Sequence, residues 1–85
     1  MRELIEYLAK ALVDKPEEVK ISETQGEIVT VLEIRVAPDE VGKVIGREGR
    51  IINAIRVVAK AAAAKQDKKI TVEVISQEGK EGGES

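Results

Sequence analysis

The chain has 85 residues and a net charge of −2, which is enough for one small domain and no more. It contains no cysteine, no histidine and a single aromatic residue, Tyr7. Disulfide frameworks, Cys/His zinc clusters and nucleophile–imidazole pairs are thereby excluded, and the core has to be aliphatic. No signal peptide and no apolar run approaching the roughly 18 residues of a membrane span is visible, so the chain reads as soluble and cytoplasmic.

Residues 2–14 read as an amphipathic helix, with Leu4, Ile5, Leu8, Ala11 and Leu12 on one stripe and Glu6 four residues before Lys10. Pro16 ends it, because the residue before a proline avoids helical geometry. Val19 and Ile21 then alternate with polar residues, and residues 24–27 supply a turn. Residues 28–36 form the strongest strand, rich in β-branched side chains. Ile28, Thr30, Leu32, Ile34 and Val36 point one way in it, and Val29, Val31, Glu33 and Arg35 the other. The two strands make a hairpin. Pro38 opens a short helix with acids in its first turn, and Val41, Val44 and Ile45 continue it at helical spacing. A longer helix covers residues 50–64, with Ile51, Ile52, Ile55, Val58, Ala59 and Ala62 as its core stripe. A turn at residues 66–68 leads to a last strand over residues 70–75, and the polar, glycine-rich residues 77–85 read as a disordered tail.

Between the two later helices stands Val44-Ile45-Gly46-Arg47-Glu48-Gly49-Arg50-Ile51-Ile52. Glycine suits so short a connection because it accepts positive φ and leaves no Cβ between the backbone and a ligand. The helix that follows starts with unpaired N–H groups and the positive end of its dipole, which attract phosphate. A bare Gly-x-x-Gly can equally be no more than a tight helix–turn–helix connection. The charge distribution favours an anionic ligand: residues 41–65 carry six basic side chains against Glu48 alone, while the remaining residues carry eight basic and fifteen acidic ones. Gly42 and Gly46 do not continue into a Lys-Ser/Thr pair, so no P-loop is present.

The motif Val-Ile-Gly-x-x-Gly-x-x-Ile resembles the signature of the KH domain, whose GXXG loop clamps the backbone of single-stranded nucleic acid. The order helix, strand, strand, helix, GXXG, helix, strand is similar to the type II KH arrangement. That resemblance implies an α+β fold, α-β-β-α-α-β, with a three-stranded mixed sheet and three helices on one face, occupying residues 1–76. Two further segments, Ala11-Leu12-Val13-Asp14-Lys15-Pro16-Glu17-Glu18-Val19 and Val36-Ala37-Pro38-Asp39-Glu40-Val41-Gly42-Lys43-Val44-Ile45-Gly46, resemble the small bacterial KH proteins of the KhpA type.

The resemblance implies an RNA-binding protein that holds about four unpaired nucleotides. Lys43, Val44, Ile45, Gly46, Arg47, Glu48, Gly49, Arg50, Ile52, Asn53 and Arg56 would form its RNA site. It also implies an RNA chaperone or post-transcriptional regulator, a homodimer or a heterodimer with a Jag/KhpB-type KH protein, and a link to cell shape and cell-wall biogenesis. The residues themselves add that base stacking on aromatic side chains, as RRM and OB modules use it, is not open to this chain. With no enzyme chemistry, no cofactor and no metal cluster indicated, the competing reading is a dimerisation or protein-interaction module that does not bind RNA. Ala54, Val57, Ala61 and Ala64 form a second, small-residue stripe on the long helix and are the expected dimer contact. Val29, Val31 and Ile75 on the back of the sheet are the rival surface.

Overall fold

The computed structural model describes residues 1–77, and its first helix, α1, is shorter than the periodicity predicts, spanning Arg2–Leu12. Val13 leaves the helix in an extended conformation (φ −106°, ψ 164°) and turns its side chain into the core. The next two backbone N–H groups, of Asp14 and Lys15, are taken by the carboxylate of Glu40 instead of by helix carbonyls. A single 3₁₀ turn at Pro16–Glu18 then leads into the first strand, β1, at Lys20–Gln25.

The second strand, β2, covers Val29–Val36 and pairs antiparallel with β1, with Ile21 opposite Ile34 and Gln25 opposite Thr30. The loop closes with the Gly26 N–H donating to Val29 O at 2.8 Å. That places Ile28 in the loop, where it is exposed and does not share the inward direction predicted for it. The last strand, β3, covers Lys69–Ser76 and runs parallel to β2, with Leu32 opposite Val72. The sheet order is β1-β2-β3. The backbone N–H of Gln77 still donates to Val36 O at 2.9 Å; the rest of the expected tail lies outside the described residues.

One face of the sheet, built from Ile21, Thr30, Leu32, Ile34, Val36, Ile70 and Val72, is buried beneath the helices. Ile5 and Ala9 come down on it from α1, and Val44 comes from α2, the five-residue helix Val41–Ile45. The long helix α3, Arg50–Ala64, supplies Ile52, Ile55, Ala59 and Ala63. Burying each of the larger aliphatic side chains contributes about 1.5–3 kcal/mol, so this single layer carries most of the stability. The inward stripe of α3 is rotated from the predicted one: Val58 is 44% exposed and Ile51 and Ala62 lie at the margin, while Ala63 is buried. The apolar arc of α3 is wider than one packing partner can cover, and contact with the sheet selects its middle. At its far end the helix closes with Lys68 N–H to Ala63 O at 3.0 Å and Asp67 N–H to Ala64 O at 3.0 Å. This is a Schellman pattern with Asp67 (φ 58°) in the left-handed position more often held by glycine.

Candidate nucleic-acid interface

The turn between α2 and α3 is built from backbone conformations that few sequences tolerate. Gly46 has φ 79° and ψ 171°, Glu48 has φ 58° and ψ 25°, and Gly49 has φ 75° and ψ 15°. Gly46 is required twice over. Its φ lies in the left-handed half of the map, and a Cβ there would stand 2.5 Å from Cγ1 and 2.8 Å from Cβ of Ile51. Gly49 has room, with Asn53 Nδ2 the nearest atom at 3.7 Å, so only its φ asks for glycine. No side chain caps the start of α3. Its first amides and the positive end of a fifteen-residue helix therefore sit behind a short, exposed loop.

The cations around this turn are mostly engaged already. Lys43 pairs with Asp14 and lies 3.7 Å from Glu40 Oε1. The pair holds the Asp14 carboxyl below the ordinary carboxylate value and raises the Lys43 ammonium above that of a free lysine, in each case chiefly through their mutual hydrogen bond. Arg50 Nη2 meets Glu48 Oε1 at 3.4 Å, with both side chains largely in solvent. Arg56 Nε donates to Val72 O at 3.1 Å, Nη1 to Asn53 Oδ1 at 3.4 Å, and Nη2 lies 3.9 Å from Glu73 Oε1. Because Lys69 and Gln77 turn their N–H groups towards β2, the alternate residues of β3, Val72 among them, direct theirs to the open edge of the sheet. Arg56 thus closes one carbonyl of that edge from α3. Arg47 has no ion-pair partner among the described residues.

The expected site residues divide by depth. Lys43, Arg47, Glu48, Arg50 and Asn53 are exposed, and Ile45, Gly46, Gly49 and Arg56 are half-buried. Val44 and Ile52, expected in the RNA site, are both core residues, as the core stripe of α3 already implies for Ile52, and Val44 is fully buried. They support the turn from below, Val44 being the one fully buried residue of α2, with Val41 and Ile45 packed beside it at the margin of the core.

Glu40 escaped the sequence reading. It is 2% exposed, and its two oxygens accept the N–H groups of Asp14 and Lys15, the latter at 3.1 Å. An acid beside a proline reads as a helix-start residue, and nothing in its own neighbourhood reveals backbone partners 25 and 26 positions away.

A second surface lies on the outside of the helices. Leu8, Ala11 and Leu12 of α1 face Ile51, Ala54 and Val58 of α3 across an apolar groove of about 380 Å³. The predicted contact stripe, Ala54, Val57, Ala61 and Ala64, is exposed along its whole length, Val57 to 66%. On the back of the sheet Val31 and Ile75 are half-buried and Val29 is exposed.

A mixed sheet in the order β1-β2-β3, three helices over one face and a Gly-x-x-Gly turn between the second and third of them define a type II KH domain. The family model described as KhpA/KhpB, KH domain matches residues 2–74, and the chain belongs to that family. It is 56% identical over 75 residues to the RNA-binding protein KhpA of Clostridium perfringens, a match covering 88% of this chain and all of the relative. The RNA-binding protein KhpA of Clostridium acetobutylicum is 55% identical over the same length and coverage. That of Caldanaerobacter subterraneus subsp. tengcongensis is 49% identical, again over 75 residues, 88% of this chain and all of the relative. No solved structure gives a significant match.

Proposed function

We propose that this chain binds single-stranded RNA, holding about four unpaired nucleotides across the Gly46–Gly49 turn, and works as an RNA chaperone or post-transcriptional regulator in the cytoplasm. The observation that carries this reading is the uncapped start of α3 behind two left-handed glycines. A phosphate can approach the amides there without meeting a side chain. Relatives named as RNA-binding proteins support it. Arg47 is the cation of the turn free to meet phosphate, Arg50 becomes available by exchanging its Glu48 partner, Arg56 stays bound to Val72 O and adds its positive charge nearby, and Ile45 offers an apolar surface to a base. Replacing Arg47 and Glu48 together by Asp sets two acids against the phosphates and reduces RNA affinity at least tenfold. Both side chains are exposed, so stability changes by less than about 1 kcal/mol. Fluorescence titration with a labelled single-stranded RNA, alongside a urea melt, reads both quantities; parental affinity in a folded double variant refutes the loop as the binding site.

The exposed stripe Ala54, Val57, Ala61 and Ala64, which meets the α1–α3 groove at Ala54, favours a companion reading, in which a second KH chain, another copy of this one or a KhpB-type partner, docks on those four residues. Small side chains let a helix approach closely. Two loops held on one RNA gain affinity through effective concentration, and a place in cell-shape and cell-wall control would follow from the RNAs so gathered. Sedimentation of Val57→Glu and Val31→Glu tests the surface. A monomeric Val57→Glu with a dimeric Val31→Glu supports the helix, and the reverse outcome moves the contact to the back of the sheet.

A further inference from the structure

Asp14 and Lys43 are 29 positions apart, and their charged groups are in contact across the junction between the end of α1 and α2. The two ends of this contact are held differently from the other ion pairs of the surface. The backbone of Asp14 is fixed, because its N–H and that of Lys15 are bound by the buried carboxylate of Glu40, while Lys15 also reaches Asp39 at 3.6 Å. The Asp14 carboxylate itself stays in solvent, 77% exposed, and Lys43 is 44% exposed. Glu40 is held in place, since its carboxylate is buried and both its oxygens are committed to the backbone amides of Asp14 and Lys15. Asp14 can leave without uncovering any buried group. Lys43 lies less than one helical turn before Gly46, so its ammonium is the nearest cation on the α2 side of the turn.

We propose that Asp14 is a built-in competitor for RNA: its carboxylate holds the Lys43 ammonium in the free protein, and an RNA phosphate displaces it. The proposal rests on the RNA reading above and adds a term to it. At this position binding is an exchange of one anion for another, so Lys43 contributes little net affinity and little counterion release in the parent protein. An exposed pair is weak enough for such an exchange to run freely. The acid thus tempers the affinity of the loop without touching it, and lets the protein release RNA as readily as it takes it.

The test is Asp14→Asn, titrated with a fluorescein-labelled mixed-sequence single-stranded RNA over a range of salt. Glu17→Gln, an exposed neighbour with the same change of charge, is the control. Asp14→Asn tightens binding about two- to fivefold at low salt and steepens the log–log salt slope by about 0.7, one phosphate contact on a single strand. Glu17→Gln changes neither. In a Lys43→Ala background the effect of Asp14→Asn disappears. Unchanged affinity and slope in Asp14→Asn overturn the proposal, as does an equal gain in the Lys43→Ala background or in Glu17→Gln, since either is a general effect of net charge. If parent and variant both fail to bind, the RNA reading itself falls and this proposal with it.

Discussion

The two ends of α3 solve the same problem in opposite ways. Both are tight reversals with a non-glycine residue in the left-handed region, Glu48 before the helix and Asp67 after it, each at φ 58°. At the carboxyl end the freed carbonyls are taken at once, Ala63 O by Lys68 and Ala64 O by Asp67. At the amino end no side chain caps the helix, and the preceding residues are two glycines and two exposed charges. The amino end uses part of its capacity within the turn itself, Gly49 N–H donating to Gly46 O at 3.1 Å and Arg50 N–H to Arg47 O, but no side chain covers the amides that follow. The RNA site we propose is a helix end that no side chain closes, beside a turn held by positive-φ residues.

The amino-terminal turn is most sensitive at Gly46. Gly46→Ala places a methyl group inside contact distance of Ile51 and forces alanine to φ 79°, with an expected loss of about 2–4 kcal/mol. Gly49→Ala meets only the conformational penalty, about 1–2 kcal/mol. Urea melts of the two variants rank them, and equal losses would mean that packing against Ile51 does not matter.

A smaller effect sharpens the contrast between the ends. Glu48→Gly and Asp67→Gly each remove a left-handed non-glycine residue and stabilise the protein by about 0.5 kcal/mol, because relief of the steric cost slightly exceeds the added freedom of the unfolded chain. Only Glu48→Gly should tighten RNA binding, since it also releases Arg50 from its 3.4 Å carboxylate partner. An equal gain in affinity from Asp67→Gly would place RNA at both ends of α3.

The smallest effect is electrostatic and lies beside the open end. Asp14 titrates below the ordinary carboxylate value because of Lys43. A carboxyl depressed in the folded state contributes stability above its unfolded pKa and loses it as pH falls through the lower, folded value. The raised Lys43 contributes below its ordinary value and loses that contribution as pH rises through its folded one. Carboxyl-detected NMR titration should find Asp14 returning to the ordinary value in Lys43→Ala, with the melting temperature almost unchanged because the pair is exposed.

Element order, the hairpin, the alternation of β2 and the position of the Gly-x-x-Gly turn were all legible in the residues, because periodicity, proline and glycine act within a few positions of themselves. The span predicted for α3, residues 50–64, matches the helix observed, Arg50–Ala64. What the chain could not state locally is which part of a wide apolar arc meets the sheet. Packing turned Ile52, Ile55, Ala59 and Ala63 inward and left Val58 out. It also buried Val44, expected in the RNA site, beneath the loop. The counterions were likewise decided by tertiary structure. Lys43 found Asp14, Glu40 found the amides of Asp14 and Lys15, and Arg56 found Val72 O, across separations of 16 to 29 residues. A side chain carries its charge wherever it stands in the sequence, but how much of that charge remains free for a ligand depends on which distant groups the fold brings within hydrogen-bonding distance.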